Sequence, residues 1–260
     1  MPEGDTVWQT AHRLDAALAG HALVEADFRV PRLATTRLAG WRVDRVVSRG
    51  KHLLIRLCDA APYTLHSHLR MDGAWRCYAP GARWTGGPGH HIRVVLRAAH
   101  LVAVGYHVHE LALVPTAREG ELVGHLGPDL LAADFDAGEA VRRLTADPGA
   151  PAADALRDQR RLAGIGNVYA AELLFLHGVP PWAPVAALPD LEALVADARR
   201  LLWANRSGRR STTGSRRRGE ETYVYGRAGR PCRRCGTAVR RDAGGARVSY
   251  WCPRCQPDPG

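Results

Sequence analysis

Two amines stand out in this sequence, the proline at position 2 and the lysine at position 51. If Met1 is removed, Pro2 carries a free secondary amine at the N-terminus, directly before the carboxyl group of Glu3. An α-amino group has a pKa of about 8, so part of it is neutral and nucleophilic near neutral pH. An amine of this kind attacks an electrophilic carbon while a neighbouring carboxyl group moves the proton.

Lys51 is the only lysine in the chain, against 35 arginines. Arginine keeps its proton in proteins, whereas the pKa of lysine moves with its surroundings. The composition therefore indicates that Lys51 has a role that arginine cannot fill. The alternative is that Lys51 is a chance survivor in an arginine-rich chain.

Four of the six cysteines form two CxxC pairs near the C-terminus, separated by sixteen residues. This spacing predicts a structural Zn²⁺ site with four thiolate ligands and no open position for a substrate. The alternatives are two disulfides or a redox pair, but no secretion signal favours them. The predicted ligands are Cys232, Cys235, Cys252 and Cys255.

The chain is basic, with a net charge of +10 and a pI of about 9.9. Such a charge favours a nucleic-acid partner first and an anionic membrane surface second. No apolar run is long enough to span a bilayer, and the start of the chain does not resemble a signal peptide. We therefore expect a cytoplasmic protein, associated with the nucleoid if the source is bacterial.

The periodicity of the sequence predicts an α+β protein. Helical spacing over residues 5–18 is followed, to about residue 115, by short alternating runs typical of a β-sandwich. The next segment is helical, with helices predicted at 152–162 and 168–176. Between them lies Gly164-Ile165-Gly166-Asn167, where a tight turn and a helix N-terminus could bind a DNA phosphate. The alternative is an ordinary turn between two helices, capped by Asn167.

These motifs together resemble the formamidopyrimidine-DNA glycosylase and endonuclease VIII family of base-excision-repair enzymes. The resemblance covers essentially the whole chain. It rests on Met1-Pro2-Glu3-Gly4, Arg49-Gly50-Lys51, Gly127-Pro128-Asp129, Asp158-Gln159 through Asn167, Tyr225-Gly226-Arg227, and Arg247 through Gln256.

The resemblance implies an N-terminal helix and β-sandwich domain over residues 1–115. A helix–two-turn–helix domain (116–215) and a zinc finger (216–260) would follow. The implied activity is that of a bifunctional DNA glycosylase and AP lyase, which excises a flipped-out oxidised base and cleaves the strand by β,δ-elimination. We expect damaged, double-stranded DNA as the partner and a monomeric enzyme. The competing hypothesis is a zinc-bearing protein that binds lesions without catalysis.

Family roles carry over where residues match. Pro2 would attack C1′ and form a Schiff base, with Glu3 as general acid and base. Lys51 would assist β-elimination, and Asn167 and Arg247 would grip phosphates around the flipped nucleotide. Glu172 matches a family glutamate near the N-terminal amine, although an exposed helical glutamate is the alternative.

Other positions bear on the branch of the family, and the Tyr-Trp-Cys-Pro-x-Cys ending leans toward endonuclease VIII. Met71 would fill the gap left by the flipped base, unless it is a core methionine. The Asp-Pro-Arg-Arg-Phe-Gly segment of the formamidopyrimidine branch is absent around Tyr106–Leu111. Arg70 stands where the endonuclease VIII branch often has glutamine, and His125 where it often has arginine; both are candidate DNA-binding residues. These departures leave the preferred lesion open.

Overall fold

A computed structural model describes residues 2–244 and 247–258. Met1, whose removal would free the Pro2 amine, lies outside the described residues. The backbone divides into two compact units, residues 1–125 and 126–260. The boundaries predicted at 115/116 and 215/216 stay a prediction. The six α-helices of the described residues are α1 (Gly4–Leu18), α2 (Gly120–Val123), α3 (Ala137–Thr145), α4 (Ala152–Arg157), α5 (Asn167–Leu176) and α6 (Leu191–Ala204).

Ten strands accompany these helices in the described part of the chain. They are β1 (Leu23–Phe28), β2 (Arg42–Arg49), β3 (His52–Cys58), β4 (Pro62–His68), β5 (Ala74–Tyr78), β6 (Ile92–Ala98), β7 (Val102–Tyr106), β8 (Glu110–Pro115), β9 (Arg240–Asp242) and β10 (Ser249–Trp251).

The first unit is a helix packed on a β-sandwich, as the alternating pattern predicts. One antiparallel sheet has the order β2-β3-β4-β8 and the other β1-β6-β7-β5. Apolar residues from both sheets share one core with the buried face of α1. Asp15 joins the helix to β2, because its carboxylate accepts a hydrogen bond from the backbone N–H of Val46 at 2.6 Å. The start of the chain is thereby fixed on the sandwich.

Two connections cross from one sheet to the other at the same end of the sandwich. Residues 69–73 lead from β4 to β5, and residues 107–109 lead from β7 back to β8. His68 lies opposite Glu110, and Ala74 lies opposite Tyr106. The two crossing segments therefore run side by side.

The second unit is helical and ends in a small two-stranded sheet. Its central helix, α5, is buried over Asn167–Phe175, which explains why it shows no polar face. Phe175 shares an apolar cluster with Val224, Cys232 and Cys252, so α5 also supports the cysteine-bearing hairpin.

The predicted helix over 152–162 is wrong at its end, because α4 stops at Arg157. Asp158 has a non-helical ψ of 107°, and its carboxylate accepts a hydrogen bond from the backbone N–H of Arg160 at 3.0 Å. A short aspartate side chain that binds the backbone following it in this way competes with helix formation.

No helix among the described residues is long and apolar enough to cross a membrane.

Candidate functional site

Pro2 and Glu3 lie directly before α1, whose first helical residue is Gly4. Glu3 is the N-cap, and its backbone carbonyl accepts hydrogen bonds from Thr6 and Val7, both at 3.0 Å. The Glu3 side chain is fully buried, whereas Pro2 is half-buried. The amine and the carboxyl group singled out from the sequence are thus neighbours at the positive end of a helix dipole.

Lys51 occupies the tip of the hairpin between β2 and β3. Arg49 lies opposite His52, which leaves Gly50 and Lys51 as a two-residue turn. Gly50 has φ +56°, as the first central position of a type II′ turn requires. The glycine therefore sets the tight turn that presents the lysine.

Histidines cluster beside this turn, a feature not predicted from the sequence. Nδ1 of His52 lies 2.8 Å from Nε2 of His66, and the His52 ring also contacts those of His68 and His125. Burial first, and then the charges of the other histidines and Lys51, lower the pKa of His52 to about 3. The sequence carried part of this signal, because residues 66 and 68 are two positions apart and therefore share one face of β4. Their position beside His52 depends on the pairing of β3 with β4.

Burial is also the main cause that lowers the pKa of His66 and His68, each to about 4. The charge of Lys51 contributes to the shift at His68, which places the lysine near that imidazole as well. At neutral pH these rings are uncharged. Lys51 therefore stands beside neutral imidazoles.

The segment between β4 and β5 carries the two candidate DNA-binding residues Arg70 and Met71. Met71 is 56% exposed, so the alternative of a core methionine is wrong. Arg70, in the first sheet-crossing segment, forms an ion pair with Glu110, the first residue of β8. His125, the third candidate of this unit, is exposed, and its ring centroid lies 6.1 Å from that of His52.

In the second unit, Asn167 begins α5, as predicted, and its side chain has two partners. Its Oδ1 accepts a hydrogen bond from Arg157 at 2.6 Å, and its Nδ2 donates one to the carbonyl of Val248 at 2.8 Å. Val248 follows Arg247, whose side chain is exposed. The two predicted phosphate ligands of this unit, Asn167 and Arg247, thus lie close together.

Gln159 closes the turn that precedes Asn167. Its side chain donates to the carbonyls of Arg157 and Ile165 and accepts from the backbone N–H of Gly164, at 2.6, 2.8 and 3.1 Å. Gly164 has φ +109°, which glycine adopts without strain. Gln159 and Gly164, both within the Asp158–Asn167 motif, therefore set the conformation of this turn.

Glu172 is fully buried, so the alternative of an exposed helical glutamate is wrong. Its carboxylate accepts hydrogen bonds from the Thr212 hydroxyl and from the backbone N–H groups of residues 223, 224 and 225. Burial raises the pKa of this carboxyl group, and the four hydrogen bonds oppose that shift. Glu172 therefore anchors both ends of the basic segment between Thr212 and Tyr225.

The four predicted zinc ligands come together around one point. All four sulfur atoms lie within 4.8 Å of one another, with Sγ–Sγ distances of 3.9 Å for Cys232–Cys255 and 3.4 Å for Cys235–Cys252. A tetrahedron with Zn–S bonds of about 2.3 Å has edges of about 3.8 Å. The donor set and its dimensions fit a structural zinc ion. Cys58 and Cys77 are exposed and stand apart from this cluster.

This architecture, a helix and β-sandwich followed by a helical unit with a four-cysteine finger, matches a known class of DNA-repair enzymes. Residues 1–120 match the formamidopyrimidine-DNA glycosylase N-terminal domain, and residues 229–257 match the zinc finger found in FPG and IleRS.

Full-length relatives agree. A Streptomyces coelicolor protein named "Probable endonuclease 8 2" is 55% identical, over 100% of this chain and 95% of its own length. The Mycolicibacterium smegmatis DNA-(apurinic or apyrimidinic site) lyase Nei2 is 50% identical, over 98% of this chain and 99% of its own. A crystal structure of Lactococcus lactis Fpg with abasic-site DNA has a TM-score of 0.82 at 25% identity, covering 99% of this chain and 100% of that one.

The chain belongs to the formamidopyrimidine-DNA glycosylase and endonuclease VIII family of base-excision-repair enzymes. The hypothesis of a protein that binds lesions without catalysis is not favoured, since relatives at this identity are named as enzymes.

Proposed function

We propose that this protein excises oxidised pyrimidines from duplex DNA and cleaves the resulting abasic site through a Schiff base at Pro2. The observation that carries the proposal is the position of Pro2 next to the buried Glu3 at the start of α1. A cation is disfavoured beside the positive end of a helix dipole. The helix therefore favours the neutral, nucleophilic form of the Pro2 amine once Met1 is removed.

In this mechanism the Pro2 nitrogen attacks C1′ of the damaged nucleotide while the bond between C1′ and the base breaks. Glu3 supplies a proton during this exchange, and the nitrogen forms an iminium ion with the ring-opened sugar. Loss of a proton from C2′ then expels the 3′ phosphate, and a second elimination expels the 5′ phosphate. Water finally hydrolyses the imine and frees Pro2.

Cationic and amide groups would hold the DNA backbone during these steps. Lys51, at the tip of its hairpin, would contact the sugar–phosphate and assist β-elimination. Its neutral histidine neighbours add no competing positive charge. Asn167 and Arg247 would bind phosphates, and His125 is a further candidate contact. Zinc, held by the four cysteines, would stabilise the finger that carries Arg247.

The preference for pyrimidines follows from the gap-filling residues. A flipped base leaves a hole in the stack, and an inserted apolar side chain offsets part of the unstacking cost of a few kcal/mol. Exposed Met71 serves this purpose with Arg70 beside it, while residues 106–111 offer no Arg-Arg-Phe set to read the opposite base. Non-aromatic lesions such as dihydrouracil stack poorly, so one wedge suffices for them. We further propose that the enzyme acts as a monomer in the cytoplasm.

Single-turnover assays on matched duplexes test this function. The duplexes carry dihydrouracil, 5-hydroxyuracil, 8-oxoguanine or an abasic site opposite each normal base. We expect excision of the two pyrimidines, cleavage of the abasic site, and phosphate at both new DNA ends. Faster excision of 8-oxoguanine opposite cytosine would contradict the proposed specificity. Binding without any cleavage would contradict the reaction.

A further inference from the structure

The candidate wedge Met71 projects from one of the two sheet-crossing segments, residues 69–73, beside the other segment, residues 107–109. Each segment is pinned into the sandwich by one buried apolar residue, Leu69 in the first and Val108 in the second. Met71 lies two residues beyond Leu69 and is 56% exposed. Because its segment is anchored by a buried residue, the exposed Met71 side chain is available for contact with a partner.

The same two segments hold the unusual backbone conformations of the protein. Among the described residues, Arg70 (φ +51°) and His107 (φ +53°) are the only ones other than glycine with positive φ. Residues that carry a side chain rarely adopt this backbone conformation, and it persists only where surrounding contacts enforce it. Gly73 adds a further constraint, because a Cβ there would lie 2.4 Å from the carbonyl oxygen of Leu69.

Two polar contacts flank Met71, one to His107 in the second segment and one to Glu110, the first residue of β8. Arg70, the residue before it, pairs with Glu110. Asp72, the residue after it, has Oδ2 3.3 Å from Nδ1 of His107. The neighbours of Met71 therefore contact the second segment and the start of β8, and Met71 itself is left exposed between them.

We propose that Glu110 and Asp72 are positioning residues that hold Met71 in the conformation in which it enters the DNA stack. The inference rests on the proposed function, and it adds residues that act through the wedge without touching the reacting atoms. A wedge fixed before binding loses less conformational freedom on insertion than a mobile one. Residues 107–109 thus support a single wedge where the sequence offers no second set of gap fillers.

The test compares Glu110→Gln, Asp72→Asn and the parent protein on two duplexes, one with dihydrouracil and one with an abasic site. Each variant should lose about fivefold in single-turnover excision of dihydrouracil, equivalent to about 1 kcal/mol for an exposed ion pair. Cleavage of the abasic-site duplex should stay at the parent rate. Glu25→Gln is the matched control, since Glu25 pairs with Arg97 on the surface of the same sandwich, at 3.1 Å.

Two further measurements separate positioning from general stability. In a Met71→Ala background, Glu110→Gln should have no additional effect on excision. The fluorescence of 2-aminopurine opposite the lesion, which reports wedge insertion, should rise more slowly in both single variants. An undiminished effect of Glu110→Gln without Met71, or equal losses on both duplexes, would overturn the proposal.

The parent protein tests the proposed function separately. A parent protein that is inactive on both duplexes would contradict the proposed function itself. If the parent is active and the variants excise dihydrouracil at the parent rate, only the proposed positioning role of Glu110 and Asp72 is contradicted.

Discussion

The carboxylate of Glu172 accepts a hydrogen bond from the backbone N–H of Tyr225, with 2.8 Å between the two atoms. The residues lie 53 positions apart, on the central helix of the second unit and at the end of a basic segment. One buried acid thus fixes the chain that leads into the zinc finger.

We therefore expect Glu172→Gln to destabilise the second unit. The amide NH₂ of glutamine cannot accept hydrogen bonds, so at least one buried backbone N–H loses its acceptor, at a cost of about 1–3 kcal/mol. Urea unfolding followed by tryptophan fluorescence measures the loss. Glu192→Gln, in the exposed first turn of α6, is the control and should have no such effect. Equal midpoints for the two variants would show that Glu172 is not a structural anchor.

Acid should destabilise the first unit through its buried histidines. The pKa of His66 falls from 6.5 in the unfolded chain to about 4 in the folded protein, mainly because of burial. The unfolded state therefore binds more protons between these values, and stability declines as the pH falls from about 6.5 to 4.

His66→Gln should weaken that pH dependence. Between pH 7 and pH 5 the parent should lose about 2 kcal/mol more free energy of unfolding than the variant. Urea midpoints at the two pH values provide the measurement. His12→Gln, at an exposed histidine of α1, is the matched control. A parent that is equally stable at both pH values would contradict the assignment of a buried, neutral imidazole.

Removal of zinc should abolish DNA binding and leave the first unit folded. The four ligands all belong to the C-terminal finger, and a segment this small depends on its metal for stability. Chelation or Cys252→Ser should therefore eliminate a mobility shift with abasic-site duplex while the β-sandwich signal in circular dichroism persists. Cys58→Ser, at an exposed cysteine outside the cluster, should bind like the parent. Global unfolding on chelation would contradict this prediction.

The sequence predicted the main parts of this protein because their signals are local. Alternation marked the strands, helical spacing marked α1, and two CxxC pairs marked the metal site. The histidine cluster and the polar contacts around Met71 depend on register between distant strands. Periodicity locates a strand but not its partners, so His52 could not be paired with His66 from the sequence.

Glu172 illustrates the same limit. The sequence showed that Glu172 matches a family glutamate, but it did not show the surroundings of this side chain. The four hydrogen-bond donors come from distant residues, 212 and 223–225. The end of α4 was mispredicted for a local reason, since Asp158 binds the backbone N–H of Arg160.

Glu3→Gln should impair base excision far more than abasic-site cleavage. An abasic site has already lost its base, so the proton transfer that accompanies base departure is absent. General acid–base assistance is worth about 10²- to 10⁴-fold, and a loss of this size is expected for dihydrouracil alone. Single-turnover rates on the two duplexes give the comparison. Equal losses on both would mean that the buried Glu3 is mainly structural.

We expect the amine of Pro2 to bond covalently to DNA during turnover. Borohydride reduces an imine to a stable amine, so incubation with abasic-site duplex and borohydride should yield a protein–DNA adduct. Peptide mapping should locate the cross-link at Pro2, and a variant that retains one extra N-terminal residue should give no adduct. An adduct at Lys51, or none with the parent protein, would contradict the account.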